Sequence, residues 1–222
     1  ERQLEVTASS DAEVVYGDWR HQYHRVDGHV ELGEIAISGK PPDLVEALLD
    51  SWWVAPVALL HRRRVLERIG GWDPSLNAGQ DRDLFIRIAL AGARVVYQPG
   101  CYSIYRRHFY PTITTGDRRT FLDAHRIVLD KALAALSGRG PIHSRYLKAA
   151  AGSYFALARN YYDIDRREYE LLMKKVLLLC PDFRPNESKL YNAVQLILGF
   201  RAAERLAGIK RRVMRRLSCG TL

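Results

Sequence analysis

The 222-residue chain is 47% apolar and 27% charged, the composition of a soluble globular protein long enough to bury a sizeable core. Its longest apolar run, at 52–60, is far too short to cross a bilayer. Net charge is +9, and in 199–222 seven lysines and arginines (Arg201, Arg205, Lys210, Arg211, Arg212, Arg215, Arg216) stand against one acid, Glu204, so two-thirds of the excess sits in the tail. The mildly basic body argues against a nucleic-acid groove over its whole surface.

In chain order, "EVVYGDW" is a compact β-branched and aromatic run that predicts a buried strand. "YHRVDGHVEL" sets Asp27-Gly28 between alternating segments and predicts a hairpin. "KPPDLVEALLDS" opens with prolines and an acid, then repeats apolar residues at helical spacing. "APVALLH" predicts a second strand, and "RRRVLERIGG" a short helix stopped by glycine. A helix over 80–91 closes at Gly92, and "ARVVYQPG" and "CYSIYRRH" predict a third and a fourth strand. From about Thr115 the pattern turns helical, with helices expected over 117–137, 144–162, 166–179 and 187–217. The last carries Leu206, Ile209, Val213 and Leu217 on one stripe and arginines elsewhere. Such a basic amphipathic helix either lies on an anionic membrane surface or packs on the body with a solvated face.

Cys101, Cys180 and Cys219 are odd in number, far apart and without metal-ligand spacing, which fits a reducing, cytoplasmic compartment. No signal peptide is visible at the start of the given sequence, and a first residue of Glu1 predicts a piece processed, trimmed or cut from something longer, whose true start lies upstream.

The stretch "GGWDPSLNAGQDRDLFIRIALAG" places Asp81 and Asp83 at the mouth of a helix, where carboxylates compensate the dipole and unpaired amides. Capping alone would account for both. The order of motifs says more: "VVYGDW", then "GGWDPSL", "GQDRDLFIRIALAG" and "YRRH". Over 13–115 this order resembles the C-terminal half of the catalytic domain of family 2 glycosyltransferases. The implied fold is α/β: a partial GT-A-type (nucleotide-diphospho-sugar transferase) mixed sheet with helices, followed by an all-α C-terminal region. Residues 1–115 would form the acceptor-side half of that domain, and 116–222 a helical extension with a basic tail. The upstream Asp-x-Asp half that holds a divalent ion against the donor diphosphate has no counterpart before Glu13. Asp163-Ile164-Asp165 has the letters but reads as a turn and helix N-cap.

The resemblance implies transfer of a sugar from a nucleotide-diphosphate donor to a glycan or lipid-linked acceptor hydroxyl, with inversion, in cell-envelope polysaccharide or glycan synthesis. It places Asp81 as general base. Asp83 is the better candidate for structural capping, though it is counted with Gln80 among the acceptor- or donor-binding candidates. Gln80 stands where many relatives have Glu. His108 matches a histidine that binds metal or diphosphate in some relatives, or is an exposed loop histidine. Arg106 and Arg107 would face phosphate oxygens or solvent. Trp72 would wall a sugar site or, as is commoner in such a turn, anchor the core. Of Trp52 and Trp53, one is expected inside and the other along the acceptor cleft. A divalent metal, magnesium or manganese, is expected in the full-length enzyme, not necessarily in this piece. The competing reading is a non-catalytic module that binds a membrane surface, at the cytoplasmic face, or a protein partner through its tail. Nucleic acid is not an expected partner.

Overall fold

The computed structural model describes residues 1–108, 110 and 117–218, with side chains as far as 210. Contacts divide the chain into two compact units, 1–153 and 154–222. The expected boundary near Thr115 lies outside the described residues, and helix α5 belongs to the first unit.

The first unit is mixed α/β. A helix, α1 (Arg2–Ser9), precedes the central strand β1 (Val14–His24), followed by β2 (Val30–Ala36), α2 (Leu44–Leu49), a 3-10 turn and β3 (Leu59–His61). Then come α3 (Arg63–Arg68), α4 (Gln80–Leu90), β4 (Val95–Arg107) and α5 (Arg118–Ser137). "EVVYGDW" and the first arm of the expected hairpin are therefore one strand. Its start pairs with β3, antiparallel, and with β4, parallel. From Trp19 to Tyr23 it pairs with β4 and with β2, antiparallel, across a turn in which Gly28 takes φ 84°.

The third and fourth strands expected from the sequence are also one. Pro99-Gly100 does not end β4; it bulges, because β1 anchors it. Asp18, buried, accepts hydrogen bonds from the Gly100 amide (3.0 Å), the Tyr97 hydroxyl (2.7 Å) and the Ser38 amide (2.8 Å). Burial would raise the Asp18 pKa, but these three donors hold it below the usual carboxylate range. The bulge needs Gly17 opposite it, where a Cβ would lie 3.1 Å from the Gln98 carbonyl oxygen.

In α4, Leu84, Phe85 and Ile88 are buried, and Phe85 meets Tyr16 of β1 and Trp52 edge-on or tilted. The Gly70-Gly71 pair after α3 takes φ 77° and 68°, the left-handed conformation that ends the helix and starts the Trp72 turn.

The second unit holds the rest of α6 (Ser144–Tyr161), which begins in the first, with α7 (Arg166–Leu179), α8 (Lys189–Leu198) and α9 (Phe200–Ser218). Asp165 caps α7 by accepting from the Arg167 and Glu168 amides, as the turn reading expected. The single helix expected over 187–217 is two. Gly199, at φ 82° and ψ 168°, leaves helical geometry, and α9 packs back against α8. Glu204 of α9, 1% exposed, accepts from the Tyr191 hydroxyl at 2.7 Å and from Arg159 at 2.7 Å. Among the described residues no helix is long and apolar enough to cross a membrane.

Candidate active site

Helix α4 begins at Gly79, whose φ of 69° is left-handed and which has no side chain to cap the first amides. Successive residues of a helix point about 100° apart, so Asp81, Arg82 and Asp83 leave the first turn in three directions. Each does something different.

Asp83 points inward and is 2% exposed. Its oxygens take Arg87 Nε at 2.8 Å and Lys131 Nζ at 2.6 Å. Arg87 also donates to the Ile69 and Gly71 carbonyls, at 2.8 and 2.7 Å, and Lys131 reaches Asp73 Oδ2 at 2.6 Å. This network ties the Gly-Gly-Trp-Asp turn to α4 and α5. Burial opposes the charge on Lys131, but the hydrogen bonds it donates to Asp73 and Asp83 outweigh it and raise its pKa. Asp83 thus clamps the turn through ion pairs and does not line the cleft described below.

Arg82 points to the C-terminal end of α2. It donates to the carbonyls of Leu48 (2.8 Å) and Asp50 (2.6 Å), and to Ser153 Oγ (3.1 Å). It thereby supplies the last carbonyls of α2 with a cation and fixes the segment that carries Trp52 and Trp53.

Asp81 points outward. The Trp53 indole N–H donates to its Oδ2 at 3.0 Å, and the Arg82 amide to its Oδ1 at 2.9 Å. It is half-buried at the wall of a cleft of about 460 Å³. Trp52, Trp53, Trp72, Tyr105 and Phe121 give the cleft aromatic walls, and Arg82, Arg107 and His125 also line it. Trp53 is wedged between Trp19 (ring centroids 5.1 Å apart) and Tyr105 (6.2 Å). Trp52 is fixed by its own indole bond to the Ser38 carbonyl (2.8 Å) and packs on Tyr16 and Phe85. Both tryptophans are half-buried and both line the cleft, so the expected division into one inner and one cleft-facing ring is not the arrangement found; they differ in their indole partners.

Gln80 lines the cleft and donates to the Leu76 carbonyl at 2.9 Å. Trp72 is 51% exposed along the cleft, outside the core that a turn anchor would occupy, because the Gly70-Gly71 turn carries it outward. Arg107 lines the cleft and stacks over the Tyr105 ring at 5.0 Å. Arg106, its neighbour along β4, is exposed and outside the cleft lining, as strand alternation dictates. His108 follows β4, exposed, with its ring 4.8 Å from that of His24 and also outside the lining. Among the described residues no three His, Cys, Asp or Glu side chains converge as metal ligands.

His125 carried no sequence signal. It lies on α5 with Phe121 one turn before it, their rings 4.3 Å apart. Burial and the nearby Arg82 charge push its pKa down to about 4, with Asp81 opposing, so it is neutral at pH 7. Its spacing from Phe121 puts the two on one helical face, but only the fold turns that face to Asp81.

No family model matches the chain, and no curated protein or solved structure matches it either.

Proposed function

We propose that the chain is the acceptor side of an inverting glycosyltransferase with a GT-A-type fold, and that Asp81 is its general base. One observation carries the reading: the Asp81 carboxylate borders an open cleft walled by aromatic rings, held there by an indole N–H and, among the described residues, not consumed by an ion pair. The motif order that resembles family 2 glycosyltransferases supports it independently. Aromatic faces stack on the C–H faces of sugar rings, and a carboxylate accepts hydrogen bonds from hydroxyls. The acceptor is accordingly a sugar or glycan alcohol.

In the step, the acceptor O–H gives its proton to an Asp81 oxygen while its oxygen forms a bond to the anomeric carbon. The bond from that carbon to the donor diphosphate breaks on the opposite face, and the diphosphate leaves with the electron pair. The carboxylate is a weak base, but bond formation acidifies the hydroxyl as transfer proceeds. The cation-like sugar carbon is the point of highest energy, as in glycoside hydrolysis. Of the two arginines in the cleft lining, Arg82 and Arg107, we assign Arg107 to negative charge on the leaving group, since Arg82 donates to the carbonyls that end α2. His125 completes the cleft wall. The upstream nucleotide-binding half implied by the resemblance would bring the donor.

The test is Asp81→Asn in the chain joined to that upstream half. Transfer should fall by about 10²–10⁴-fold, the usual worth of a positioned base, with donor binding and melting temperature unchanged. Full activity in Asp81→Asn would sink the assignment.

A further inference from the structure

The α8–α9 hairpin leaves its most apolar residues in water. Leu196, Ile197 and Leu198, just before the Gly199 turn, are 73%, 77% and 66% exposed. Three consecutive helical residues point in three directions, so no single flat face covers them. Leu190 of α8 is 75% exposed, and Leu206 and Ile209 of α9 are 52% and 58% exposed. A groove of about 460 Å³ between the two helices is lined by Leu190, Val194, Leu206 and Lys210.

The charge on the same hairpin is of one sign. Lys189, Arg201, Arg205 and Lys210 are exposed, and Arg211, Arg212, Arg215 and Arg216 follow in sequence. The one acid of 189–218, Glu204, is buried against Arg159 and Tyr191, so it does not offset them at the surface. An exposed apolar patch rimmed by cations marks an interaction site.

We infer that this hairpin docks on an anionic lipid bilayer, with Leu196, Ile197 and Leu198 entering the headgroup and acyl boundary and the basic side chains facing anionic headgroups. A second copy of the hairpin would bring like charge against like. A nucleic acid would meet the cations and leave the leucines in water. A bilayer of anionic lipid offers an apolar layer that surrounds the tip on all sides and a negative plane beside it.

The full chain should co-sediment with vesicles containing about 30% phosphatidylserine at least tenfold more than with phosphatidylcholine alone. The triple variant Leu196→Gln, Ile197→Gln, Leu198→Gln should lose about tenfold or more of that partitioning. Arg201→Glu with Arg205→Glu should erase the preference for anionic over neutral vesicles. All five side chains are outside the core, and unchanged circular dichroism checks that the variants fold. Wild-type protein left in the supernatant with both vesicles overturns the inference, as does a triple variant that binds like wild type. A wild-type dimer in light scattering that the triple variant makes monomeric assigns the leucines to a second copy and also overturns it.

Discussion

At the scale of single residues, the first turn of α4 sets a cleft-facing carboxylate and an enclosed one within three positions. Asp81 and Asp83 share a residue type and a helix end, yet one borders a cleft and the other is enclosed by Arg87 and Lys131. Replacing Asp83 leaves Lys131 and Arg87 short of a buried partner, and breaking such a pair costs about 3–5 kcal/mol. Asp83→Asn should therefore lower the melting temperature strongly, whereas Asp81→Asn should not; thermal unfolding of the two variants side by side distinguishes the roles. Trp53→Phe removes the indole N–H from Asp81 but keeps the ring, so it should lower kcat by about tenfold through misplacement of the carboxylate, with stability nearly unchanged. His125 gives a pH signature. The unfolded chain takes a proton near 6.5, while the folded His125 refuses it until about 4. Stability from this group is complete above pH 6.5 and declines as pH falls toward 4, by at most about 3 kcal/mol. His125→Gln should flatten that limb of a denaturant-melting series taken against pH.

At the scale of elements, glycines decide where two helices or strands become one or one becomes two. Pro99-Gly100 looks like a strand end, yet β4 runs through it, because Asp18 binds the Gly100 amide and Gly17 leaves room for the bulge. Gly199 sits in a pattern that predicts an unbroken helix, yet its φ of 82° makes a hairpin. An L residue there would be strained by about 1 kcal/mol or more. Gly199→Ala should accordingly raise amide exchange in α8 and α9 and leave exchange in β1 unchanged, as read by hydrogen–deuterium exchange. The helix over Gln80–Leu90 was legible from its apolar spacing and flanking glycines, as was the Asp27-Gly28 hairpin, because those signals are local. The extra length of β1 and β4 was not, because it depends on the partner strand at each position.

At the scale of the whole molecule, each unit has its own buried centre. In 154–222 the centre includes a charged cluster, with Glu204 accepting from Arg159 and Tyr191, whose hydroxyl pKa is pushed up by burial and by that carboxylate. Glu204→Ala leaves Arg159 with Glu187 as its remaining acidic partner and takes the acceptor from the Tyr191 hydroxyl, and should destabilise this unit by about 3 kcal/mol. All four tryptophans lie in 1–153, so tryptophan fluorescence reports the first unit alone. In Glu204→Ala the helical circular dichroism should melt earlier, while the tryptophan transition stays where it was.

The sequence by itself determined the class of structure, the α4 helix with its two acids, the basic tail, and the motif order that makes Asp81 a candidate base. These are written in residue type and short-range spacing. Only the tertiary structure decided that Asp83 is enclosed, that Trp53 holds Asp81, that His125 and Phe121 close the cleft from 40 residues or more downstream, and that the tail folds back at Gly199. Each of those outcomes depends on which distant side chain fills the space beside a given residue, and close packing settles that only when the whole chain has folded.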